Sequence, residues 1–310
     1  LNSSNGLRER LYELGLVPLA CDVRVFQFPR MRDLRSLSLV RRISQFLVAD
    51  QVDIVHILMG PGELWLGVLA SILHDVPVAS TMIIPQPNVG EELPAWIVKG
   101  AYRILARGSD VVIVNGIEQI PLVQDLYGVP AAQTAYTPLG PRTTAEKWSD
   151  ISVPEEPGTI LFFGAARPHK GLEYLVKAQP IITREVPHAR ILIGSRGEEL
   201  QRCVEMIQDE SKFEVHEGFL PGDEMATMFQ KASLVVLPYL SASTSGVLMT
   251  AFVFGKPVVA TRVGCLPEYV EDGVTGLLIP PGDEELLAKA VIRLLADDRF
   301  RQRLGKNAEL

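Results

Sequence analysis

The strands of this chain are apolar along almost their whole length, and this pattern limits the fold more than any other feature. Examples are ILFFG, LVVLPY and PVVAT, each followed by a glycine or a polar turn. A strand with one solvent-facing side alternates apolar and polar residues, whereas a strand of a parallel sheet is covered on both faces and does not alternate. Longer segments with apolar residues at helical spacing separate these strands. The sequence therefore predicts an α/β protein with parallel sheets.

The alternation of strand and helix runs through the chain twice. The predicted strands are DVRVFQF, VDIVHIL, PVASTMII and DVVIVNG in the first half, and TILFFG, ARILIGS, FEVHEGF, LVVLPY, PVVAT and TGLLIP in the second. The polar segment Glu146–Pro157, which contains two prolines, separates the two series and is predicted to be a linker. We therefore predict two doubly wound, Rossmann-like domains, residues 1–150 and 151–310, with a cleft between them.

Residues 33–50 are predicted to form an amphipathic helix with Asp33 as its N-cap. Its apolar stripe is Leu34, Leu37, Val40, Ile43 and Leu47. Six arginines and one acidic residue lie between Arg24 and Arg42. Three interpretations of this basic patch stay open: a solvated helix face, a site for an anionic acceptor, and a surface that docks on an anionic membrane.

Composition excludes several classes of protein. With 47% hydrophobic and 22% charged residues, the 310-residue chain is globular rather than disordered. A net charge of −7 argues against nucleic-acid binding. The three cysteines have no metal-like spacing, which favours a reducing, cytoplasmic location. No apolar run reaches the roughly 20 residues of a membrane-spanning helix, so any membrane contact is expected to be peripheral, at the inner face.

Ligands of open parallel sheets bind beyond the carboxyl ends of the strands, and three turns there carry candidate residues. In FFGAARPHKG, Gly164 permits a sharp turn, and Arg167 and Lys170 suit a phosphate or diphosphate. A solvated basic loop is the alternative. In ILIGSRG, Gly194 and Gly197 permit a close approach of backbone to ligand, although the spacing is not that of a dinucleotide fingerprint.

The third turn is SASTSGVLMTAF, which contains four hydroxyl residues and a glycine before an apolar helix. We predict that Ser245, Gly246 and Val247 form the first helical turn, whose unpaired N–H groups and helix dipole bind an anion. Ser243 and Thr244 precede this turn and are included in the candidate site. The alternative is that serine and threonine cap the helix with no ligand present.

The segments ILFFGAARPHKGLEYLVKA and GFLPGDEMATMFQKASLVVLPYLSASTSGVLMTAFVFGKPVVATRVGCLPEYVEDGVTGLL closely resemble the donor-binding domain of the family-four (group 1) glycosyltransferases. The first half resembles the acceptor domain of this family more loosely. The resemblance implies the two-domain GT-B fold and sugar transfer with retention, without a metal or other cofactor. It also implies a nucleotide-diphosphate sugar bound to the second domain, with its diphosphate on the Ser245–Val247 turn and neutralised by Lys170 and Arg167.

The chain departs from the family at several positions. Ala165 stands where the family has an arginine, whereas Lys170 matches its second cation. Ala242 and Thr250 replace two glutamates, and the resemblance implies that Thr250 faces the ribose. The family places histidines after first-half strands, where this chain has Ile83, Ile84, Asn88, Asn115 and Leu139. His56 remains, either as a functional group or as a structural residue satisfied by a neighbour.

The resemblance also implies a fragment, since the family's first strand and its last crossover helix are not found. Function is therefore predicted as sugar transfer from a nucleotide-sugar donor to an unknown carbohydrate, lipid-linked or small-molecule acceptor. One alternative is a non-catalytic GT-B protein that binds sugar nucleotides or a partner, which the departures favour. Another is a sugar-nucleotide epimerase of the same architecture, which would need acid–base groups in the cleft.

Overall fold

A computed structural model describes residues 35–59, 64–83, 94–140 and 153–309. The helices are α1 Arg35–Ala49, α2 Leu64–Ile72, α3 Ala95–Arg107, α4 Gln119–Tyr127, α5 Leu172–Glu185, α6 Glu198–Val204, α7 Gly222–Lys231, α8 Gly246–Val253, α9 Leu266–Tyr269, α10 Glu284–Ala296 and α11 Asp298–Ala308. The strands are β1 Val55–Met59, β2 Val78–Met82, β3 Val111–Val114, β4 Thr134–Tyr136, β5 Thr159–Phe163, β6 Arg190–Ser195, β7 Phe213–Glu217, β8 Leu234–Leu237, β9 Val258–Thr261 and β10 Gly276–Ile279.

The first sheet has the strand order β1-β2-β3-β4, and every pair in it is parallel. Three of its strands match the predicted ones, and β4 was not predicted. This strand has only three residues and lies at the edge of the sheet, so it lacks the long apolar run that marked the others. The strand predicted at residues 22–28 lies outside the described residues.

The second sheet has six parallel strands in the order β10-β9-β8-β5-β6-β7. All six were predicted, although β7, FEVHE, alternates apolar and polar residues and lies at the edge of the sheet. All residues of β8, β9 and β10 are buried, because one hydrophobic cluster covers each face of the sheet. The lack of alternation in these strands is the direct consequence of this double cover.

The order of this second sheet fixes where a ligand can bind. From β5 the chain continues outward through β6 and β7, and it then crosses to β8 on the other side of β5 and continues to β10. The helices that follow β5 and β8 therefore leave on opposite sides, and a crevice opens between the carboxyl ends of these two strands. Both the Gly164 turn and the Ser245 turn lie at this crevice.

Helix α1 confirms the predicted helix but corrects its buried face. Val40 and Ile43 are buried as expected, whereas Leu37 is 48% exposed. Ser36 is fully buried in its place. The stripe is therefore rotated by about one residue, and Asp33 and Leu34 lie outside the described residues.

The end of the predicted linker is attached to the second domain. The Glu155 carboxylate accepts hydrogen bonds from Ser233 Oγ and from Arg301 Nη2, each over 3.0 Å, and from Lys256 Nζ over 3.4 Å. Arg301 is only 6% exposed, whereas the Glu155 carboxylate stays open to solvent on one side. Burial lowers the pKa of Lys256, and the nearby Glu155 opposes that shift. The domain boundary predicted at residues 150 and 151 lies outside the described residues and stays a prediction.

No helix within the described part of the chain is long and apolar enough to cross a membrane.

Candidate functional site

The loop between β8 and α8, residues 238–245, ends in a helix N-terminus at the crevice. Ser245 is the N-cap, and its hydroxyl accepts a hydrogen bond from the Leu248 N–H over 3.2 Å. Helix α8 begins at Gly246, and the N–H groups of Gly246 and Val247 have no acceptor among the described residues. Two backbone donors and the positive end of the helix dipole therefore remain available for an anion. The serine does cap the helix, as the alternative interpretation stated, and capping leaves these two donors unused.

Lys170 supplies a positive charge beside this helix N-terminus. It ends the 3₁₀ helix Pro168–Lys170, and its Nζ lies 3.7 Å from the centroid of the Tyr239 ring. The Tyr239 hydroxyl in turn lies 3.3 Å from Ser245 Oγ. An ammonium over an aromatic face is attracted by the ring quadrupole, so Tyr239 orients Lys170 toward the first turn of α8. Sequence analysis missed Tyr239, although an aromatic residue directly after the apolar run LVVLP was visible.

Two backbone contacts fix the position of Lys170. The Leu240 N–H donates to the His169 carbonyl over 2.8 Å, which ties the turn after β5 to the loop after β8. Gly171 has a φ of +65°, and a Cβ at this position would lie 2.0 Å from the Pro238 carbonyl oxygen. Only glycine allows both this conformation and this close approach.

Gly164 brings the β5 turn against α8. Its φ of +105° confirms the sharp turn predicted for it. A Cβ at Gly164 would lie 3.3 Å from Val247 Cγ2, so the turn packs against the first turn of the helix. Ser195 Oγ donates to the Gly164 carbonyl over 2.7 Å and holds the turn against β6. The three predicted elements, the Gly164 turn, Lys170 and the α8 N-terminus, are thus brought together.

Three other predicted residues have different surroundings. Arg167 is exposed, and its side chain has no contact with this cluster among the described residues. Gly194 lies inside β6, where a Cβ would come within 3 Å of Phe163, Met228 and Leu220 side chains, so packing explains this glycine. Its predicted part in ligand binding stays a prediction. Gly197, with a φ of +111°, is the glycine that turns the chain after β6.

Thr250 is the third of these residues. It is 2% exposed, and its hydroxyl donates to the Gly246 carbonyl over 2.8 Å. A hydroxyl bonded to its own helix is not presented to a ligand, so the predicted contact with a ribose does not match this geometry. Ser243 and Thr244 are half-buried in the loop, and the Ser243 carbonyl accepts a hydrogen bond from the Cys265 N–H over 3.3 Å.

In the first domain, the candidate histidine lies away from the carboxyl edge of the sheet. His56 is the second residue of β1, at the amino end of the strand rather than at its carboxyl end. Its Nε2 lies 2.8 Å from Thr81 Oγ1 on the neighbouring strand. Asn115 and Leu139 do lie at the carboxyl edge of the first sheet, close to the second domain. Ile84 and Asn88 lie outside the described residues.

Carboxylates and histidines are not clustered at this site. In the ranges that the structure covers, no three histidine, cysteine, aspartate or glutamate side chains form a group able to hold a metal ion. The groups that do converge here are an ammonium and backbone amides, which suit an anion. Whether the reaction needs a metal stays a prediction.

Comparison with known proteins identifies the family. A model described as "Glycosyl transferases group 1" matches residues 157–297, and one described as "Glycosyl transferase 4-like domain" matches residues 5–140. The chain belongs to the group 1 glycosyltransferases. A D-inositol 3-phosphate glycosyltransferase of Corynebacterium efficiens is 31% identical over 222 residues, which cover 66% of this chain and 52% of that protein. The chain thus spans about half the length of the curated relatives that it matches.

Solved structures of glycosyltransferases share the fold. Anabaena HepE in complex with UDP and glucose matches with a TM-score of 0.73 and 22% identity, over 97% of this chain and 83% of that one. Sucrose-phosphate synthase of Thermosynechococcus elongatus matches with a TM-score of 0.70 and 22% identity, over 92% of this chain and 75% of that one. The predicted GT-B architecture of two Rossmann-like domains is therefore confirmed.

Proposed function

We propose that this group 1 glycosyltransferase transfers a sugar, with retention and without a metal, from a nucleotide-diphosphate sugar to an acceptor held by the first domain. One observation carries the proposal: Lys170, the Gly164 turn and the free N–H groups of Gly246 and Val247 converge at the crevice between β5 and β8. A cation, a helix N-terminus and a tight glycine turn together provide the contacts that a diphosphate needs.

The chemistry assigned to these residues is stabilisation of the leaving group. As the bond between the sugar and the diphosphate breaks, negative charge grows on the departing diphosphate. The Lys170 ammonium and the two α8 amides are fixed before the reaction, so they stabilise that charge without reorganising. Arg167 is exposed and is assigned a secondary role, contacting the diphosphate only after its side chain turns toward the crevice.

Binding of UDP is the first experiment, since UDP is present in the HepE complex. We expect UDP to bind with an affinity that falls as salt rises, and Lys170→Ala to weaken it about ten- to hundredfold, since a charge-assisted hydrogen bond contributes roughly 1.5–3 kcal/mol. Lys177→Ala is the matched control, because Lys177 is a lysine on α5 that contacts Glu173 and Tyr174 instead. Equal losses of UDP affinity in the two variants would show that Lys170 does not contact the bound diphosphate. No binding of UDP or of any other nucleoside diphosphate would overturn the proposed function.

Retention and metal independence have their own tests. NMR of the product should show the anomeric configuration of the donor, and an inverted product would refute retention. EDTA should leave UDP affinity and turnover unchanged, and restoration of activity by a divalent cation would refute metal independence.

A non-catalytic role is the second candidate, and two observations favour it. Ala165 stands at the family's arginine position, and the Thr250 hydroxyl is bonded inside its helix. Turnover that appears or increases in Ala165→Arg would identify a weakened enzyme. Binding of UDP without turnover in both forms would favour the binding role.

The acceptor is proposed to be anionic. Arg41 and Arg42 are exposed on α1, and curated relatives are named for D-inositol 3-phosphate. Binding of this compound and binding of vesicles with anionic lipid are measured separately, so that a soluble acceptor is distinguished from a membrane surface. The double variant Arg41→Ala/Arg42→Ala is compared with wild type in both measurements. A cytoplasmic location is proposed from the thiols, since Cys203 and Cys265 are both free.

A further inference from the structure

Helix α9 of the second domain contacts the first domain through the Glu268 carboxylate. Oε2 accepts a hydrogen bond from the Ile117 N–H over 2.8 Å, and Oε1 accepts one from the Glu118 N–H over 3.0 Å. These N–H groups stand at the start of α4, whose own N-cap side chain, Glu118, makes no capping bond. A carboxylate near a helix N-terminus is stabilised by the amides and by the helix dipole. Glu268 therefore caps a helix of the other domain.

Tyr269, the next residue, joins two loops of the first domain. Its hydroxyl donates to the Asn115 carbonyl over 2.5 Å and accepts from the Leu139 N–H over 2.8 Å. Asn115 follows β3 and Leu139 follows β4, so both lie at the carboxyl edge of the first sheet. Burial raises the pKa of Tyr269, which keeps the hydroxyl protonated and able to donate. Leu139 also packs against the same hydrophobic cluster as Val247 of the site.

The two domains approach closely between these bonds. A Cβ at Gly116 would lie 1.9 Å from Cys265 Sγ. Gly116 has no positive φ, so the glycine is required by the close approach and not by the backbone conformation. Cys265 is 1% exposed, and burial, together with the nearby Glu268 and Glu118, raises the pKa of its thiol to about 12.

The same segment contacts the loop that leads into α8. A Cβ at Gly264 would lie 1.6 Å from the Ala242 carbonyl oxygen, and the Cys265 N–H donates to the Ser243 carbonyl over 3.3 Å. Residues 264–269 thus contact the β8–α8 loop at one end and the first domain at the other. We call residues 264–269 and their first-domain partners the α9 joint.

We propose that Glu268 and Tyr269 are positioning residues for sugar transfer: through the α9 joint they hold the first domain at a fixed place relative to the β8–α8 loop. This inference rests on the proposed function for its consequence in turnover, but the joint itself is tested without it. If the joint fixes the two halves of the site, loss of its bonds separates acceptor from donor and leaves the nucleotide contacts of the second domain unchanged.

The thiol of Cys265 reports directly on the joint. Alkylation by iodoacetamide, resolved by peptide mass spectrometry, gives separate rates for Cys265 and for Cys203. Cys203 is fully buried in the second-domain core and reports on global unfolding in the same sample. We expect Glu268→Gln and Tyr269→Phe to raise the Cys265 rate at least tenfold and to leave the Cys203 rate unchanged. Tyr269→Phe decides whether the joint opens, because Glu268→Gln also lowers the pKa of the Cys265 thiol by removing a nearby negative charge. Glu271→Gln is the matched control, because Glu271 is exposed and undergoes the same charge change nearby.

A third variant tests packing rather than hydrogen bonds. Gly116→Ala puts a methyl group where Cys265 Sγ lies, so the Cys265 rate should rise as in Glu268→Gln. Unchanged Cys265 alkylation rates in all three variants would overturn the proposal of the α9 joint, whether or not the protein binds UDP. Rates that rise equally for both cysteines would also overturn it, since they would show unfolding instead of local opening.

The functional arm uses UDP and UDP-glucose as probes. Glu268→Gln should bind UDP within twofold of wild type, while turnover at saturating UDP-glucose falls at least tenfold. Loss of UDP affinity in parallel with turnover would refute a positioning role. If wild type binds neither UDP nor any other nucleoside diphosphate, the proposed function fails, and the cysteine rates still decide whether the joint exists.

Discussion

Gly171→Ala offers the sharpest test of how Lys170 is held. The added methyl group would lie 2.0 Å from the Pro238 carbonyl oxygen, whereas ordinary contact begins near 3.4 Å. The turn must therefore move away from β8 by more than about 1 Å, which breaks the bond between the Leu240 N–H and the His169 carbonyl. This movement carries Lys170 away from Tyr239.

The energy of this substitution has three parts. A left-handed residue other than glycine costs roughly 1–2 kcal/mol. Overpacking adds roughly 1–3 kcal/mol, and the lost hydrogen bond about 1 kcal/mol. The sum is about 3–6 kcal/mol, or roughly 5–9 °C in melting temperature for a protein of 310 residues.

Gly273→Ala isolates the backbone part. Gly273 has a similar φ of +78°, but its Cβ would meet nothing within 4 Å. We expect it to lower the melting temperature by about 2–3 °C and to leave UDP affinity unchanged. Gly171→Ala should in addition weaken UDP about tenfold or more, as measured by calorimetric titration. Equal melting temperatures and equal UDP affinities in the two variants would refute the close packing of the Lys170 turn.

Three further predictions concern other parts of the fold. Thr250→Val should change UDP affinity less than twofold in titration, because its hydroxyl is bonded inside the helix, and a loss of tenfold or more would restore its role at the ribose. Arg301→Ala should destabilise the protein by about 1.5–3 kcal/mol in urea unfolding, because it removes a buried side chain that bonds the Glu155 and Asp298 carboxylates, and unchanged stability would contradict that role. The Cys265 thiol has a pKa raised to about 12, so unfolding releases its proton above about pH 9 and stability falls as pH rises toward 12. Melting temperature between pH 9 and pH 11 should therefore fall more steeply in wild type than in Cys265→Ala, and equal slopes would contradict the shift.

The strands could be predicted because burial on both faces leaves a continuous apolar run in the sequence. The short edge strand β4 could not, since Thr134–Tyr136 buries little and resembles a loop. The turn at Gly164 and the helix start at Gly246 were also predictable, because local backbone chemistry determines both. These features depend on residues that are close together in the chain.

Other features of the site depend on residues that are distant in sequence. Gly194 and Gly164 look alike in the sequence, and only the neighbouring Phe163, Met228 and Leu220 side chains show that Gly194 serves packing. The α9 joint was not predicted for the same reason. Glu268 reads as an exposed acid on a short helix until the fold brings the Ile117 and Glu118 amides to it.

The attachment of Glu155 to the second domain provides a fixed point from which distances to the first domain can be measured. Arg301, Lys256 and Ser233 of the second domain bind Glu155, so Pro154, the residue before it, is expected to move with that domain. Spin labels at Pro154 and at the exposed Lys289 of α10 should keep one constant separation when UDP is added. A label on Trp96, which is 75% exposed on α3, can then be measured against that pair, so that any displacement of the first domain, in wild type or when the α9 joint is weakened, is obtained as a distance.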